Sequence, residues 1–311
     1  MSLEVIMLMG CQASGKSTVS QQYVEQGYVR LNRDTIGGKL ADLVGPMTQA
    51  LQQGKSVILD NTHLAVESRV PFLVAAAAQG AVVKALVMET SIEDCQFNAA
   101  LRIYQKRGQM LSPDELKKSK DPNIFPTVVL FGFKKKFEPP TVAEGFVSVD
   151  KVPFVRTFGP EYVNKALILD YDGTLRRTKS GADYPTESSD IEILPGRSEV
   201  LQKYKEAGYR LLGVSNQSGV HKGSLSNGAA KACFEKTNQL LGHEIEYVYC
   251  PHQSAPISCY CRKPMSGHGV MFIEKYKLNR NECIMVGDMT TDKTFAARSG
   301  FQYVDQGEFF A

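Results

Sequence analysis

No apolar run in this chain approaches the roughly 20 residues that a membrane-spanning helix requires. The opening Val5-Ile6-Met7-Leu8-Met9 is too short for a signal peptide and lacks its basic flank. The expectation is a protein with no membrane segment, cytoplasmic or nuclear. Cysteine is also scarce, since seven in 311 residues do not build a disulfide scaffold. Charge is nearly balanced at a formal net of +3, which argues against a protein that coats long nucleic acid by bulk electrostatics. Internal repeats and low-complexity tracts are missing as well, so duplication of one domain is excluded.

What remains is an ordinary globular composition, 43% apolar and 22% charged, in a chain long enough for two cores. Short apolar runs at Val5 to Met9, Val57 to Leu59 and Val82 to Met88 are separated by helical stretches, the rhythm of a parallel α/β sheet. Between about 137 and 165 the prolines and glycines Pro139, Pro140, Gly145, Pro153, Gly159 and Pro160 read as a domain end and connector. The alternation resumes with strands expected at Ala166 to Leu169, Arg210 to Val214 and Cys283 to Val286, and a helix at Ser198 to Ala207. The expected fold class is α/β, two tandem doubly wound domains, residues 1–154 and 155–311. Basic runs at Lys117-Lys118 and Lys134 to Lys136 read first as solvated faces, with local recognition of a strand end left open.

Gly10-Cys11-Gln12-Ala13-Ser14-Gly15-Lys16-Ser17 satisfies G-x-x-x-x-G-K-[ST] directly after a strand and before a helix. Backbone N–H groups of such a loop converge at a helix N-terminus and hold phosphates. Gly10, Gly15, Lys16, Ser17 and Thr18 are therefore the candidate ATP site, with Lys16 neutralising phosphate and Ser17 a ligand to Mg²⁺. Asp34, in Asn32-Arg33-Asp34-Thr35, is either a general base for an attacking hydroxyl or a helix cap. Asp60, in Asp60-Asn61-Thr62-His63, closes a strand at the sheet edge and either helps hold Mg²⁺ or caps a turn.

These elements, with Ser68-Arg69 and the block Phe131-Gly132-Phe133-Lys134-Lys135-Lys136-Phe137-Glu138-Pro139-Pro140-Thr141-Val142-Ala143-Glu144-Gly145-Phe146, resemble the kinase domain of the polynucleotide kinase-phosphatases over about residues 4–154. That family heals broken DNA or RNA ends. The resemblance implies that Asp34 is the general base for a polynucleotide 5′-hydroxyl and that a lid arginine, Arg102 or Arg107, meets the ATP phosphates. Arg33 is a candidate for the acceptor strand. The phage form has an arginine three residues after the aspartate, where this chain has Gly37, and Arg69 is a candidate substitute.

Asp170-Tyr171-Asp172-Gly173-Thr174 follows an apolar strand and resembles the nucleophile loop of haloacid-dehalogenase (HAD) phosphatases, over about residues 165–305. Two carboxylates so spaced can face one phosphoryl group: Asp170 attacks phosphorus, and Asp172 protonates the leaving alkoxide and later activates water. The resemblance gives Ser215 and Asn216 to phosphate and substrate, and Lys263 to the transition state with Arg262 beside it. Mg²⁺ falls to Asp170, Asp172 and Asp288, with Asp292 bracing from behind. Cys250, His252, Cys259 and Cys261 form a candidate closed structural Zn²⁺ site, similar to that of the histidinol-phosphate and heptose-bisphosphate branch. His221 and His268 fall in no motif. The stretch Arg176 to Ile193 allows only a minimal cap.

The leading expectation is transfer of the ATP γ-phosphate to a polynucleotide 5′-hydroxyl and removal of a 3′-phosphate, with DNA or RNA ends and a ligase as partners and no membrane. The competing readings are a small-molecule kinase fused to a sugar-phosphate or histidinol-phosphate type phosphatase, and a non-catalytic ATP-binding scaffold.

Overall fold

A computed structural model describes residues 3–311, which fall into two compact units. One comprises residues 1–98 and 128–156, the other 99–127 and 157–311. The segment 99–127, which a cut at 154 leaves in the first half, thus groups with the second unit.

In the first unit, β1 (Glu4–Met9), β2 (Val29–Leu31), β3 (Val57–Asp60), β4 (Val82–Met88) and β5 (Ser148–Val152) form a parallel sheet in the order β2-β3-β1-β4-β5. Central strands of such a sheet are covered on both faces and so read as unbroken apolar runs. Val5 to Met9 and Val57 to Leu59 are accordingly almost wholly buried. Leu43, Met47, Leu51 and Phe72 pack one face of the sheet, while Ile6, Leu8 and Ile58 face the other. β5 lies inside the stretch expected to be connector. Its composition is polar because it is an edge strand, with one side open to solvent.

The second unit repeats the plan with β6 (Ala166–Leu169), β9 (Arg210–Asn216), β10 (Glu246–Cys250), β11 (Ile284–Gly287) and β12 (Gln302–Asp305), parallel in the order β10-β9-β6-β11-β12. β7 (Arg176–Thr178) and β8 (Ile191–Ile193) make a separate antiparallel ribbon, the small flap expected after the first acidic loop. Tyr171 is fully buried against Phe234, with ring centroids 4.6 Å apart. A Cβ at Gly213 would lie 2.5 Å from the Tyr171 ring. That fit fixes Tyr171 inward and turns Asp170 and Asp172, its neighbours, toward the sheet edge. Among the described residues no helix is long and apolar enough to cross a membrane.

Candidate functional sites

The P-loop lies where the sequence puts it, between β1 and the helix Lys16–Glu25. Gly15 caps that helix at φ 93°, and Ala13 also adopts positive φ, at 61°. Gly10 is required for another reason, because a Cβ there would come within 2.8 Å of Met88. Lys16 Nζ donates to the carbonyls of Gly10 (2.9 Å) and Cys11 (2.7 Å), so its ammonium lies over the mouth of the loop. Ser17 and Thr18 are exposed at the start of the helix.

Asn32 caps the short helix Arg33–Ile36, accepting from Thr35 N–H, and its amide donates to the Asp60 carbonyl at the end of β3. Capping is therefore the task of Asn32, and Asp34 stands exposed in the first turn, paired with Arg33 at 2.9 Å. Asn61 accepts from Arg33 N–H at 3.0 Å and fastens this turn to the end of β3. Asp60 is buried and accepts from Arg30 and Ser20 through one oxygen, Oδ2, which leaves that oxygen committed to protein. His63, which no motif selected, is buried at φ 43°, its pKa pushed down to about 3 by burial, then by the Arg69 and Lys16 cations.

Arg69 is not a phosphate contact. It is completely buried, forms a two-pronged pair with Glu144 (2.7 and 3.0 Å), and donates to the carbonyls of His63 and Glu138. A guanidinium with its donors so engaged holds the chain together and cannot reach an acceptor strand. Arg102, in the helix Ile92–Arg107, donates to Asn123 Oδ1 at 3.5 Å.

In the second unit the acidic loop, the end of β9, the Lys263 loop and the end of β11 converge. Lys263 Nζ is buried and donates to Asp170 Oδ1 (2.6 Å) and the Val214 carbonyl (2.8 Å), and pairs with Asp292 (2.7 Å). Burial raises the Asp170 pKa to about 7 against the pull of Lys263, with Asp292 and Asp172 adding to the rise. Burial also opposes the Lys263 charge, but the two carboxylates outweigh it and hold that pKa above the usual lysine value. Carboxylate oxygens of Asp170, Asp288 and Asp292 lie within 4.8 Å of one another, a cluster of three anions that suits a divalent cation. Gly173 is obligatory beside it, since a Cβ there would collide with the Asp288 carboxylate.

Two positioning groups escaped the sequence reading. Arg176 Nε donates to Asp172 Oδ1 at 2.8 Å, and Gln217 Nε2 donates to Asp172 Oδ2 (2.8 Å) and Ser215 Oγ (3.0 Å). Asp172 is thus held from both sides. Asn216 differs from its expected role: its amide exchanges hydrogen bonds with Lys263 N–H and C=O, both at 3.0 Å, so it orients Lys263 and has no arm left for substrate. Arg262 donates to the His252 carbonyl at 3.4 Å.

The three sulfurs and one imidazole nitrogen of Cys250, His252, Cys259 and Cys261 also lie within 4.8 Å of one another. Cys250 Sγ is 3.6 Å from Cys259 Sγ and 3.4 Å from His252 Nδ1, and His252 Nδ1 is 3.2 Å from Cys261 Sγ. The edges of a tetrahedral Cys₃His metal shell are roughly 3.5–3.8 Å, so the donors are gathered as such a shell requires. All seven cysteines are free and buried. The Cys259 thiol is held below its usual pKa by hydrogen bonds from Cys250 and Cys261, so negative charge is already favoured in the cluster. Met110 packs against it, and Tyr260 Oη, beside two of the cysteines, donates to the Phe125 carbonyl at 3.1 Å. The segment 99–127 is anchored on the cysteine loop in this way. Burial pushes the His268 pKa down to about 4.

A family model described as AAA domain matches residues 5–118, and one described as polynucleotide kinase 3 phosphatase matches residues 165–310. The chain is 32% identical over 152 residues to the bifunctional polynucleotide phosphatase/kinase of Schizosaccharomyces pombe, covering 49% of this chain and 34% of that protein. It thus spans about a third of that relative's length. It is 35% identical over 139 residues to a probable D-glycero-D-manno-heptose-1,7-bisphosphate 7-phosphatase of Thermoplasma volcanium, covering 43% of this chain and 92% of that one. Among solved structures, one of the Pnkp1/Rnl/Hen1 RNA repair complex is similar over 98% of this chain and 96% of the other, at 16% identity and a TM-score of 0.32. With a P-loop unit followed by a HAD-type phosphatase unit, the chain belongs to the polynucleotide kinase-phosphatase family.

Proposed function

We propose that the first unit transfers the γ-phosphoryl group of ATP to a polynucleotide 5′-hydroxyl and that the second removes a 3′-phosphate through an aspartyl-phosphate on Asp170. The observation that carries this reading is the buried grip of Lys263 on Asp170 beside a doubly held Asp172, in a chain that also bears a phosphate cradle. In the first reaction the Asp34 carboxylate takes the proton of the attacking hydroxyl, and Lys16 moves from the loop carbonyls to the phosphates. In the second, an Asp170 oxygen bonds to phosphorus as the bond to the 3′-oxygen breaks, and Asp172 gives that oxygen a proton. Asp172 then takes a proton from water, which attacks phosphorus and releases inorganic phosphate and the Asp170 carboxylate. Ser215 and Lys263 hold the phosphoryl oxygens throughout.

Magnesium, held by Ser17 in one unit and by Asp170, Asp288 and the Asp172 carbonyl in the other, would offset repulsion between anionic reactants. Asp60 adds at most its uncommitted oxygen. Zinc fits the Cys₃His cluster as a structural ion. The products, a 5′-phosphate and a 3′-hydroxyl, are the ends a ligase joins, which makes a ligase the natural partner in the cytoplasm or nucleus.

The Thermoplasma volcanium likeness favours a second reading for the phosphatase, a small sugar phosphate. DNA and RNA oligonucleotides with 5′-hydroxyl or 3′-phosphate ends, assayed beside small phosphate esters, decide between them. The end-healing reading expects both oligonucleotide activities, and turnover of small esters alone overturns it. Metal analysis after dialysis into magnesium buffer should find about one equivalent of zinc. Protein without zinc, or a Cys259-to-Cys261 disulfide, would reject the zinc site.

A further inference from the structure

The helix Val128–Lys136 of the first unit carries an arrangement that the two active sites do not use. Leu130 is buried and anchors one side, and Phe133 stacks on Phe137 with centroids 4.9 Å apart. The opposite side is bare. Val128, Phe131 and Lys135 fall on one face at helical spacing, and Val128 and Phe131 are 67% and 48% exposed. Gly132 lies on the same face, and a Cβ there would touch nothing within 4 Å, so the surface beside Phe131 is flat and open. Lys134, Lys135 and Lys136 are all exposed in the last turn, and among the described residues none of them is in an ion pair. One cation near the last carbonyls would satisfy the helix dipole. Two more adjacent to it add mutual repulsion that only an outside anion relieves.

The basic end is tied to the edge that bears Asp34. Glu138, two residues beyond the helix, donates its N–H to the Leu64 carbonyl (3.0 Å), and its carboxylate accepts from Val66 N–H (2.7 Å). Leu64 and Val66 continue the loop that leaves β3 through Asn61, and Asn61 holds the backbone of Arg33 beside Asp34.

We propose that this face is the track for the acceptor polynucleotide. The lysines meet the phosphates of nucleotides 3′ of the one being phosphorylated, and Phe131 stacks under a base. Alternating cations with an exposed aromatic ring suits a single strand, whose phosphates and base faces are both open. The proposal rests on the kinase reading above and adds where the strand runs.

The test uses the full chain with ATP and three acceptors: a nucleoside 3′-monophosphate, a short 5′-hydroxyl oligonucleotide and a long one. For the wild type, KM should fall as the acceptor lengthens. In the triple variant Lys134→Ala/Lys135→Ala/Lys136→Ala, KM for the long acceptor should rise about tenfold, because three phosphate contacts are lost. The slope of log affinity against log salt should flatten by about 2, at roughly 0.7 per single-strand contact. KM for ATP and turnover of the nucleoside monophosphate should stay unchanged. Phe131→Ala should raise the oligonucleotide KM about fivefold or more and leave the salt slope intact. Wild-type length and salt dependence in both variants overturns the track while leaving the kinase in place. A wild type that phosphorylates no 5′-hydroxyl overturns the kinase reading, and the track falls with it.

Discussion

The two candidate sites share a sheet plan and differ in how finished they are. Asp34 and its partner Arg33 have side chains 44% and 53% exposed, whereas Asp170 and Lys263 are 9% and 3% exposed. The difference follows from the chemistry each must do. Phosphoryl transfer between two bound substrates asks the protein mainly for positioning and charge, which ATP and acceptor complete as they bind. A covalent route through the protein's own carboxylate needs the nucleophile, its counter-cation and its proton carrier in place beforehand, in a setting with little water. The first site is therefore an edge awaiting ligands, and the second a preformed cluster.

The sharpest way to break that comparison is to remove the nucleophile. Asp170→Asn should abolish 3′-phosphatase activity by on the order of 10⁴-fold or more, since an amide cannot replace the attacking carboxylate. Kinase activity, measured on the same substrate, should be unchanged. Loss of both activities in folded protein would mean that the two sites are one. Asp34→Asn should do the reverse on a smaller scale, lowering 5′-phosphorylation by about 10²–10⁴-fold while ATP binding persists, because only proton removal is lost. Near-normal transfer by this variant would remove Asp34 from the mechanism.

Arg69→Met probes the buried part of the first unit, the counterpart of the buried pair in the second. Removing one partner of a desolvated ion pair costs about 3–5 kcal/mol, and Glu144 would be the charge left behind. The thermal midpoint should fall, and adding Glu144→Leu should recover part of the loss. Unchanged stability, with a raised KM for the acceptor strand instead, would restore Arg69 to the active site.

That misplacement shows where the sequence stops being informative. The P-loop, the Asp170-to-Thr174 loop and the cysteine set were legible because each is a local pattern with a fixed geometry, and β4 and β6 have the expected ends because apolar runs stop at polar residues. Arg69 looked like a spare cation because its partner Glu144 is 75 residues away in the chain. Asn216 looked like a substrate ligand because nothing local shows that Lys263, 47 residues on, occupies both ends of its amide. β5 was hidden by the alternating polar residues of an edge strand between proline and glycine markers. The grouping of 99–127 with the second unit depends on contacts such as Tyr260 with Phe125, 135 residues apart.

Gln217 offers the smallest and most discriminating effect. Its amide bridges Asp172 and Ser215, while Arg176 grips the other oxygen of Asp172, so the acid/base carboxylate is restrained twice. Gln217→Met keeps the length and packing of the side chain and removes only the two donated hydrogen bonds. A net hydrogen bond to a charged group contributes about 1.5–3 kcal/mol, but Arg176 remains, so the loss of kcat should be only about tenfold. KM for the 3′-phosphate should barely change, because Lys263 and Ser215 still hold the phosphoryl group. Kinase activity and the thermal midpoint should match the wild type, which separates a positioning role from a structural one. An unaltered phosphatase kcat would mean that Arg176 alone sets Asp172, and a drop in both activities would mean that Gln217 supports the fold.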